Sequence, residues 1–416
     1  MVRKYTPREL RQKKATIKFA KTFIALSTIL FVLTSLPSLL LMLAGYASAY
    51  LGVEAWRMSP GDTCGLGSHS ASGKVAVVTG ANSGVGYEAA LSLAMLGAEK
   101  VVLGCRDVKK CTYAKALIDA TRSTTCFPRS GAAYESNVHV PVAGLDLGDL
   151  SSVRSWSEAL ADVTPYVTTL VLNAGVMSTP LEPRTPQGLE TQLGVNHVGH
   201  AYLVRRLEAF LETSPGGEVG EVERRIVALS SVAAQTPWST DLDDLNWSGS
   251  RSFDSLRAYS QSKRLNLLYA QHLHSSTPSN VKVLAAHPGY SRTNLFHNGW
   301  SFLPSSLSWV KDLARENLVF SMSPYEGAMM TVRACVDPGL ASGSYVVPLL
   351  WGVGMPVVSE PRPARFYEKG VGGGVVYPFL GTAWSKLYGG WGWQVEDAEK
   401  LAEWTDAVVR RFEGEE

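Results

Sequence analysis

The segment KVAVVTGANSGVG, residues 74–86, reads as a strand, a turn and the start of a helix. Lys74–Thr79 is short, apolar and β-branched, the composition of a buried parallel strand. It leads directly into Gly80-Ala81-Asn82-Ser83-Gly84-Val85-Gly86, followed by a helical pattern over Tyr87–Leu96. Glycines here let the chain turn tightly and let a pyrophosphate approach the backbone at a helix N-terminus. The spacing is G-x-x-x-G-x-G rather than G-x-G-x-x-G, and an ordinary strand–helix turn is the plainer reading. Its position between this strand and this helix favours nucleotide binding.

The next segments repeat the alternation. Lys100–Gly104 reads as a second strand, followed by Cys105-Arg106-Asp107, a helix over Val108–Ala120 and a polar loop over 121–137. The end of the second strand is expected over the adenosine ribose, where an acidic residue would select NAD. Arg106 instead offers a guanidinium to a 2′-phosphate, which favours NADP; the alternative is a surface arginine paired with Asp107. Val138–Val142 leads to Leu145-Asp146-Leu147, where Asp146 either meets an adenine amino group or begins a helix. Thr168–Leu172 is a strand ending in Asn173-Ala174-Gly175, a turn expected against the cofactor sugar. Short strands alternating with helices predict an α/β fold, a Rossmann-type doubly wound parallel sheet flanked by helices.

In the second half, Gln192–Glu208 reads as one helix carrying Asn196, His197 and His200. A buried Asn196 needs partners; no third ligand accompanies the histidines, so both read as core or helix-face residues and no metal site is expected. Arg225–Leu229 is a strand ending in Ser230-Ser231, and Ser231 is placed to donate to a substrate carbonyl or to cap a turn. Ala258-Tyr259-Ser260-Gln261-Ser262-Lys263 puts a tyrosine and a lysine one helical turn apart. An ammonium beside a phenol favours the phenolate and lowers a pKa that is otherwise about 10. Beyond it, Pro324–Cys335 reads as a helix, Gly343–Pro348 as a last strand, 356–363 as a proline-rich loop and Glu396–Phe412 as a terminal amphipathic helix. Trp384, Tyr388, Trp391 and Trp393 form an aromatic cluster.

Charge is uneven over the 416 residues. The net is only +2, yet residues 1–21 hold eight basic side chains against Glu9 alone. A mildly acidic remainder gives no support for nucleic-acid binding. Thr22–Val53 contains no charged residue; as a helix it would run roughly 48 Å, against a hydrocarbon core of about 30 Å. Residues 1–21 thus read as a basic flank, 22–53 as a membrane anchor contacting lipid, 54–72 as a linker and 73–416 as one catalytic domain. Pro37 also permits a hairpin, and Ala47-Ser48-Ala49 permits a cleaved targeting sequence. The expected location is a membrane, that of the endoplasmic reticulum first, with a lipid droplet or an organelle as alternatives. The five cysteines are an odd, scattered set and read as mostly buried, reduced thiols.

Taken in order, Thr79-Gly80-x3-Gly84-x-Gly86, Asn173-Ala174-Gly175, Asn196, Ser231, Tyr259-x3-Lys263 and Pro288-Gly289 resemble the short-chain dehydrogenase/reductases from about Gly73 to Val347. GCRD (104–107), GVNHVGH (194–200), DLDDLNW (241–247), YSQSK (259–263) and HPGYSRT (287–293) are similar to the retinol dehydrogenase branch. The resemblance implies Tyr259 as proton donor and acceptor, Lys263 lowering its pKa and binding the nicotinamide ribose, Ser231 holding the substrate oxygen, and Asn196 supporting a water relay to Lys263. It implies that Gly80, Asn82, Ser83, Gly84, Val85 and Gly86 line the pyrophosphate and that Arg106 meets the 2′-phosphate of NADP. Asp146 and Leu147 would meet the adenine, and Asn173, Ala174 and Gly175 the ribose side. Pro288, Gly289 and Thr293 would close over the nicotinamide, with the segment 300–319 covering a small apolar carbonyl or alcohol. Two departures are Leu172, where an asparagine often precedes Asn-Ala-Gly, and Ser83, which is not the basic residue that many NADP enzymes carry. The substrate stays open among retinoids, lipid aldehydes, steroids, sphingoid ketones and pigment precursors, as does a nucleotide-sensing protein without turnover.

Overall fold

The computed structural model describes residues 70–126, 135–213, 223–235, 240–289, 291, 323–348, 356–359 and 395–414. The basic flank, the apolar run 22–53, Thr293, the segment 300–319 and the aromatic cluster lie outside the described residues. Among the described residues no helix is long and apolar enough to cross a membrane.

Strand β1 (Val75–Thr79) is followed by α1 (Gly84–Met95), β2 (Lys100–Gly104), α2 (Val108–Cys126), β3 (Val138–His139), α3 (Leu150–Leu160) and β4 (Thr169–Leu172). Next come α4 (Thr191–Leu193), a π-helical turn (Gly194–Val198), α5 (Gly199–Arg206), α6 (Glu208–Glu212), β5 (Arg224–Leu229), α7 (Ser255–Ser276) and β6 (Val281–Ala286). The chain ends with α8 (Pro324–Val336), β7 (Tyr345–Pro348), β8 (Pro356–Ser359) and α9 (Val395–Glu413). The sheet order is β3-β2-β1-β4-β5-β6-β7-β8. The first seven strands are parallel and β8 is antiparallel to β7. This is the doubly wound sheet expected from the sequence.

Strand periodicity builds two cores. Ala76 and Val78 of β1, with Val171, Val227 and Leu284, face one layer formed with α1, α2 and α8. Val77, with Leu170, Leu172, Ile226 and Val283, faces the other, formed with α3, α5, α7 and α9. Both faces are covered, so the central strands are apolar along most of their length, with basic residues near their starts at Lys100, Arg224, Arg225 and Lys282. Order reverses between β1 and β4: the connections from their carboxyl ends leave toward opposite faces and open a crevice there.

Four expectations are corrected. Helix α2 runs on to Cys126 through residues read as loop; hydroxyls of Thr121 and Thr124 bond back to the carbonyls of Leu117 and Ala120. The helix read as continuous over 192–208 is broken by the π turn. The strand at Tyr345–Pro348 is not the last, because Pro356–Ser359 adds an edge strand, and Pro356 begins it, where a missing N–H costs least. Cys105 and Cys111 are disulfide-bonded, their Cα atoms 5.8 Å apart, because one directly follows β2 and the other lies in the first turn of α2. Cys335 is free and buried, as expected.

Candidate active site

The crevice at the carboxyl ends of β1 and β4 collects most of the residues singled out in the sequence. Gly80 and Gly84 have φ of +67° and +58°, the left-handed region that favours glycine. Ser83 is the N-cap residue of α1, yet its side chain makes no capping bond and the first turn holds no acidic residue. The amides of that turn therefore point into the crevice with their partial positive charge uncompensated. Asn82 forms the preceding turn and Val85 is buried beneath it. A Cβ on Gly86 would lie 2.3 Å from Asn173 Nδ2 and 2.5 Å from the Gly80 carbonyl, so the loop packs against β4 with no room for a side chain. Asn173 Nδ2 donates to the Thr79 carbonyl at 2.8 Å. A bare helix N-terminus behind a glycine turn fits the pyrophosphate of a dinucleotide.

At the end of β2 the Arg106 guanidinium is 77% exposed, with Nη1 4.0 Å from Asp146 Oδ2. Asp107 does not pair with it; its Oδ1 accepts the N–H groups of Lys109 and Lys110 and caps α2. Asp146 accepts the N–H of Gly148, and Asp149, not Asp146, caps α3. Leu147 is buried. An exposed guanidinium at this strand end suits a phosphate.

Helix α7 supplies Tyr259 and Lys263, 6% and 3% exposed. Asp254 starts the helix by accepting the N–H groups of Leu256 and Arg257. Lys263 Nζ lies 6.0 Å from the centroid of the Tyr259 ring and donates to the Leu229 carbonyl at 3.3 Å. Gly175 faces it: a Cβ there would be 3.2 Å from Lys263 Nζ and 3.2 Å from Asn196 Oδ1, so the missing side chain leaves a hollow beside the ammonium. Ser231, at the end of β5, accepts the Ala233 N–H and hydrogen-bonds the Tyr259 phenol. Burial pushes Tyr259 up to about 12 against the pull of that bond. Burial also pushes Lys263 down to about 8, still protonated at neutral pH.

Asn196 is fully buried in the π turn. Its Oδ1 accepts the Val176 N–H at 2.7 Å, and its Nδ2 donates to the Val176 carbonyl and to Ser262 Oγ, each at 2.9 Å. Ser262 donates in turn to the Tyr259 carbonyl. Asn196 thus clamps the segment after Asn173-Ala174-Gly175 to α7. Pro288 and Gly289 follow β6, with Gly289 at φ +64°. No group of three or more acidic, histidine or cysteine side chains among the described residues could hold a metal.

Four supporting residues carry contacts that the sequence reading did not assign. Gln261 Nε2 donates to the Leu245 carbonyl, fastening the DLDDLNW insert to α7. Ser262 links Asn196 to α7 as above. Thr79 and His200 share a hydrogen bond of 2.9 Å under the glycine loop. A helical face would have flagged Ser262, but nothing local marks Thr79 and His200 as neighbours.

A family model described as short chain dehydrogenase matches residues 74–241. The chain is 38% identical to human retinol dehydrogenase 13 over 224 residues, covering 54% of this chain and 60% of that protein. It is 30% identical to human retinol dehydrogenase 14 over 304 residues, covering 72% of this chain and 84% of that one. A crystal structure of an uncharacterised protein from Mycobacterium paratuberculosis superposes with a TM-score of 0.52 at 29% identity, over 83% of this chain and 97% of the other.

Lys263 gives this site a pH signature. Its folded pKa of about 8 lies below the 10.5 of an ordinary lysine. Between these values the unfolded chain binds the extra proton, so stability rises with pH across that window, by on the order of 1–3 kcal/mol, and below pH 8 the penalty is constant. Urea unfolding at pH 7.5, 9 and 10 should show this rise for the wild type relative to Lys263→Met; parallel pH profiles for the two would contradict a buried ammonium.

Proposed function

The chain belongs to the short-chain dehydrogenase/reductases, in the retinol dehydrogenase-like branch, and from that premise we propose that it is a membrane-attached, NADP(H)-dependent oxidoreductase of apolar carbonyls and alcohols. The observation that carries this reading is the convergence of Ser231, Tyr259, Lys263 and Asn196 beside an uncapped helix N-terminus. The substrate class, a retinoid or similar lipid aldehyde, is drawn from the names of the relatives.

The nicotinamide cofactor, when bound, supplies or accepts the hydride at the carbonyl carbon. The residues of this chain do the rest. Gly80, Asn82, Ser83, Gly84, Val85 and Gly86 would hold the pyrophosphate, with Arg106 on the 2′-phosphate and Asp146 and Leu147 toward the adenine. Asn173, Ala174 and Gly175 would lie along the ribose, with the Lys263 ammonium beside them. Pro288 and Gly289 would border the nicotinamide, and Thr293 belongs to the same motif. Ser231 would donate a hydrogen bond to the substrate oxygen and stabilise the charge that grows there. Tyr259 would deliver its phenolic proton to that oxygen in reduction and recover it in oxidation. Asn196 holds the Val176 segment and α7 in register, so that phenol, hydroxyl and ammonium face one space. Preference for NADPH rests on Arg106, and membrane attachment on the uncharged run 22–53 behind a basic flank.

The full chain in detergent, given retinal, medium-chain aldehydes and ketosteroids, should consume NADPH with one apolar class. Tyr259→Phe should lower kcat at least ~100-fold, in the range of lost acid–base catalysis, while still binding NADPH; full turnover would remove the assigned mechanism. Arg106→Glu should weaken NADPH by roughly 10–100-fold, the loss of a charge-assisted contact, with NADH affected far less; an unchanged preference would refute the 2′-phosphate role. After carbonate extraction the full chain should stay with membranes and a chain lacking residues 22–53 should not; equal extraction of both would exclude that run as the anchor.

A further inference from the structure

His200 has no assigned contact with cofactor or substrate, yet it bonds Thr79 at the end of β1 and the backbone of Asn196. Its side chain is 2% exposed and both ring nitrogens are engaged. Nδ1 lies 3.0 Å from the backbone carbonyl of Asn196, and Nε2 lies 2.9 Å from Thr79 Oγ1. The Thr79 hydroxyl also accepts the backbone N–H groups of Asn173 and Ala174, each at 2.9 Å, and has the Val171 carbonyl 3.3 Å away.

Donor counting fixes the hydrogens. A carbonyl only accepts, so Nδ1 carries the proton facing Asn196. In a neutral ring Nε2 is then an acceptor, and the one Thr79 hydroxyl hydrogen points at it rather than at the more distant Val171 carbonyl. The Thr79 lone pairs are left for Asn173 and Ala174. The opposite tautomer would set the bare Nδ1 lone pair against a carbonyl oxygen. Protonation is opposed as well: burial, then the Lys263 charge, push the ring down to about 4, the Asn196 bond pulling the other way.

We infer that His200 is a positioning residue whose neutral, Nδ1-protonated imidazole ties the dinucleotide-binding turns at the ends of β1 and β4 to the π turn that carries Asn196. The inference rests on the oxidoreductase reading for its functional consequence, but not for its geometry. Through Thr79 the ring reaches the strand end before Gly80 and the Asn173-Ala174 turn. Through the Asn196 carbonyl it reaches the residue that clamps Val176 and Ser262 to α7. The two nitrogens therefore divide the site: one serves cofactor binding and the other turnover.

Substitutions separate the two sides. His200→Asn keeps a donor near Nδ1 and does not reach Thr79. His200→Gln keeps an acceptor at the reach of Nε2 and gives up the ring donor. For the full chain in detergent with NADPH as probe, His200→Asn should raise the NADPH Kd at least about fivefold, with the loss in Kd rather than kcat. His200→Gln should lose at least about fivefold in kcat rather than in Kd. These sizes are at the low end for a buried hydrogen-bonding group left without its partner. Thr79→Val should raise the NADPH Kd at least as much as His200→Asn, because it also leaves the Asn173 and Ala174 amides without their acceptor, and the double variant should be no worse than Thr79→Val alone. Equal effects of Asn and Gln on one parameter, or no effect of either, would overturn the inference.

A cofactor-independent arm keeps it separate from the proposed activity. Nitrogen-15 spectra of the wild-type imidazoles should show His200 as the Nδ1–H tautomer at pH 6, and Tm losses from Thr79→Val and His200→Asn should be non-additive. An Nε2–H or doubly protonated ring, or additive losses, would overturn the inference whether or not the protein turns over. Failure of the wild type to bind NADPH, with tautomer and coupling as expected, would overturn the oxidoreductase reading and leave the hub standing.

Discussion

One threonine hydroxyl holds the crevice together. The ends of β1 and β4 are adjacent, but their connections leave toward opposite faces, so nothing in the sheet ladder satisfies the amides that turn away there. The Thr79 hydroxyl accepts two of them, from Asn173 and Ala174, and the Asn173 side chain returns a bond to the Thr79 carbonyl. With these bonds made, Asn173 occupies the space that a Cβ on Gly86 would need. The glycine at 86 is thus a consequence of strand closure as much as of ligand approach. Unpaired, each of these amides would cost about 1–3 kcal/mol in a site this dry.

The sheet was readable because both of its faces are covered. Apart from Lys100, Val75–Thr79, Lys100–Gly104 and Arg224–Leu229 are apolar or buried throughout and bounded by turn residues, so strand identity needed no pairing information. Departures came where a local rule had a non-local answer. Pro356 reads as the start of a loop, yet it pairs with Pro348 at the end of the β7–β8 ladder nearest the connection between the two strands, where its missing amide costs least. The residues 121–126 look like a loop by composition, yet they continue α2, their Thr121 and Thr124 hydroxyls turned back onto the helix's own carbonyls rather than offering the backbone another path. The Cys105–Cys111 pair was missed because its six-residue spacing resembles no framework; only the strand-to-helix turn brings the sulfurs together.

The site was readable to the extent that its members are neighbours in sequence. Tyr259 and Lys263 are one turn apart, and the glycine turn is contiguous. The supporting network is not. Thr79 and His200 are 121 positions apart, and Asn196 reaches Ser262 across 66. The π turn compounds this, since one extra residue per turn rotates Asn196 and His200 relative to a regular helix without altering the apolar pattern that announces the helix. A histidine judged by its own helix face looks like core, and its meaning lies in what the sheet brings under it.

Electrostatics adds a direction to the chemistry. With the phenol at about 12, forming its phenolate at neutral pH costs about 7 kcal/mol, at 1.36 kcal/mol per unit. A single ammonium about 6 Å away recovers on the order of 3 kcal/mol at an effective dielectric of 20, and the Lys263 ammonium sits at that distance from the ring. Lys263 alone therefore does not create a resting phenolate. The ground state holds a protonated Tyr259 beside a charged Lys263, which is the arrangement needed to give a proton to a carbonyl oxygen as negative charge develops on it. Taking a proton from an alcohol requires the opposite starting state and a further positive charge in the same pocket. With a protonated Tyr259 beside a charged Lys263, the pocket starts in its proton-donating state.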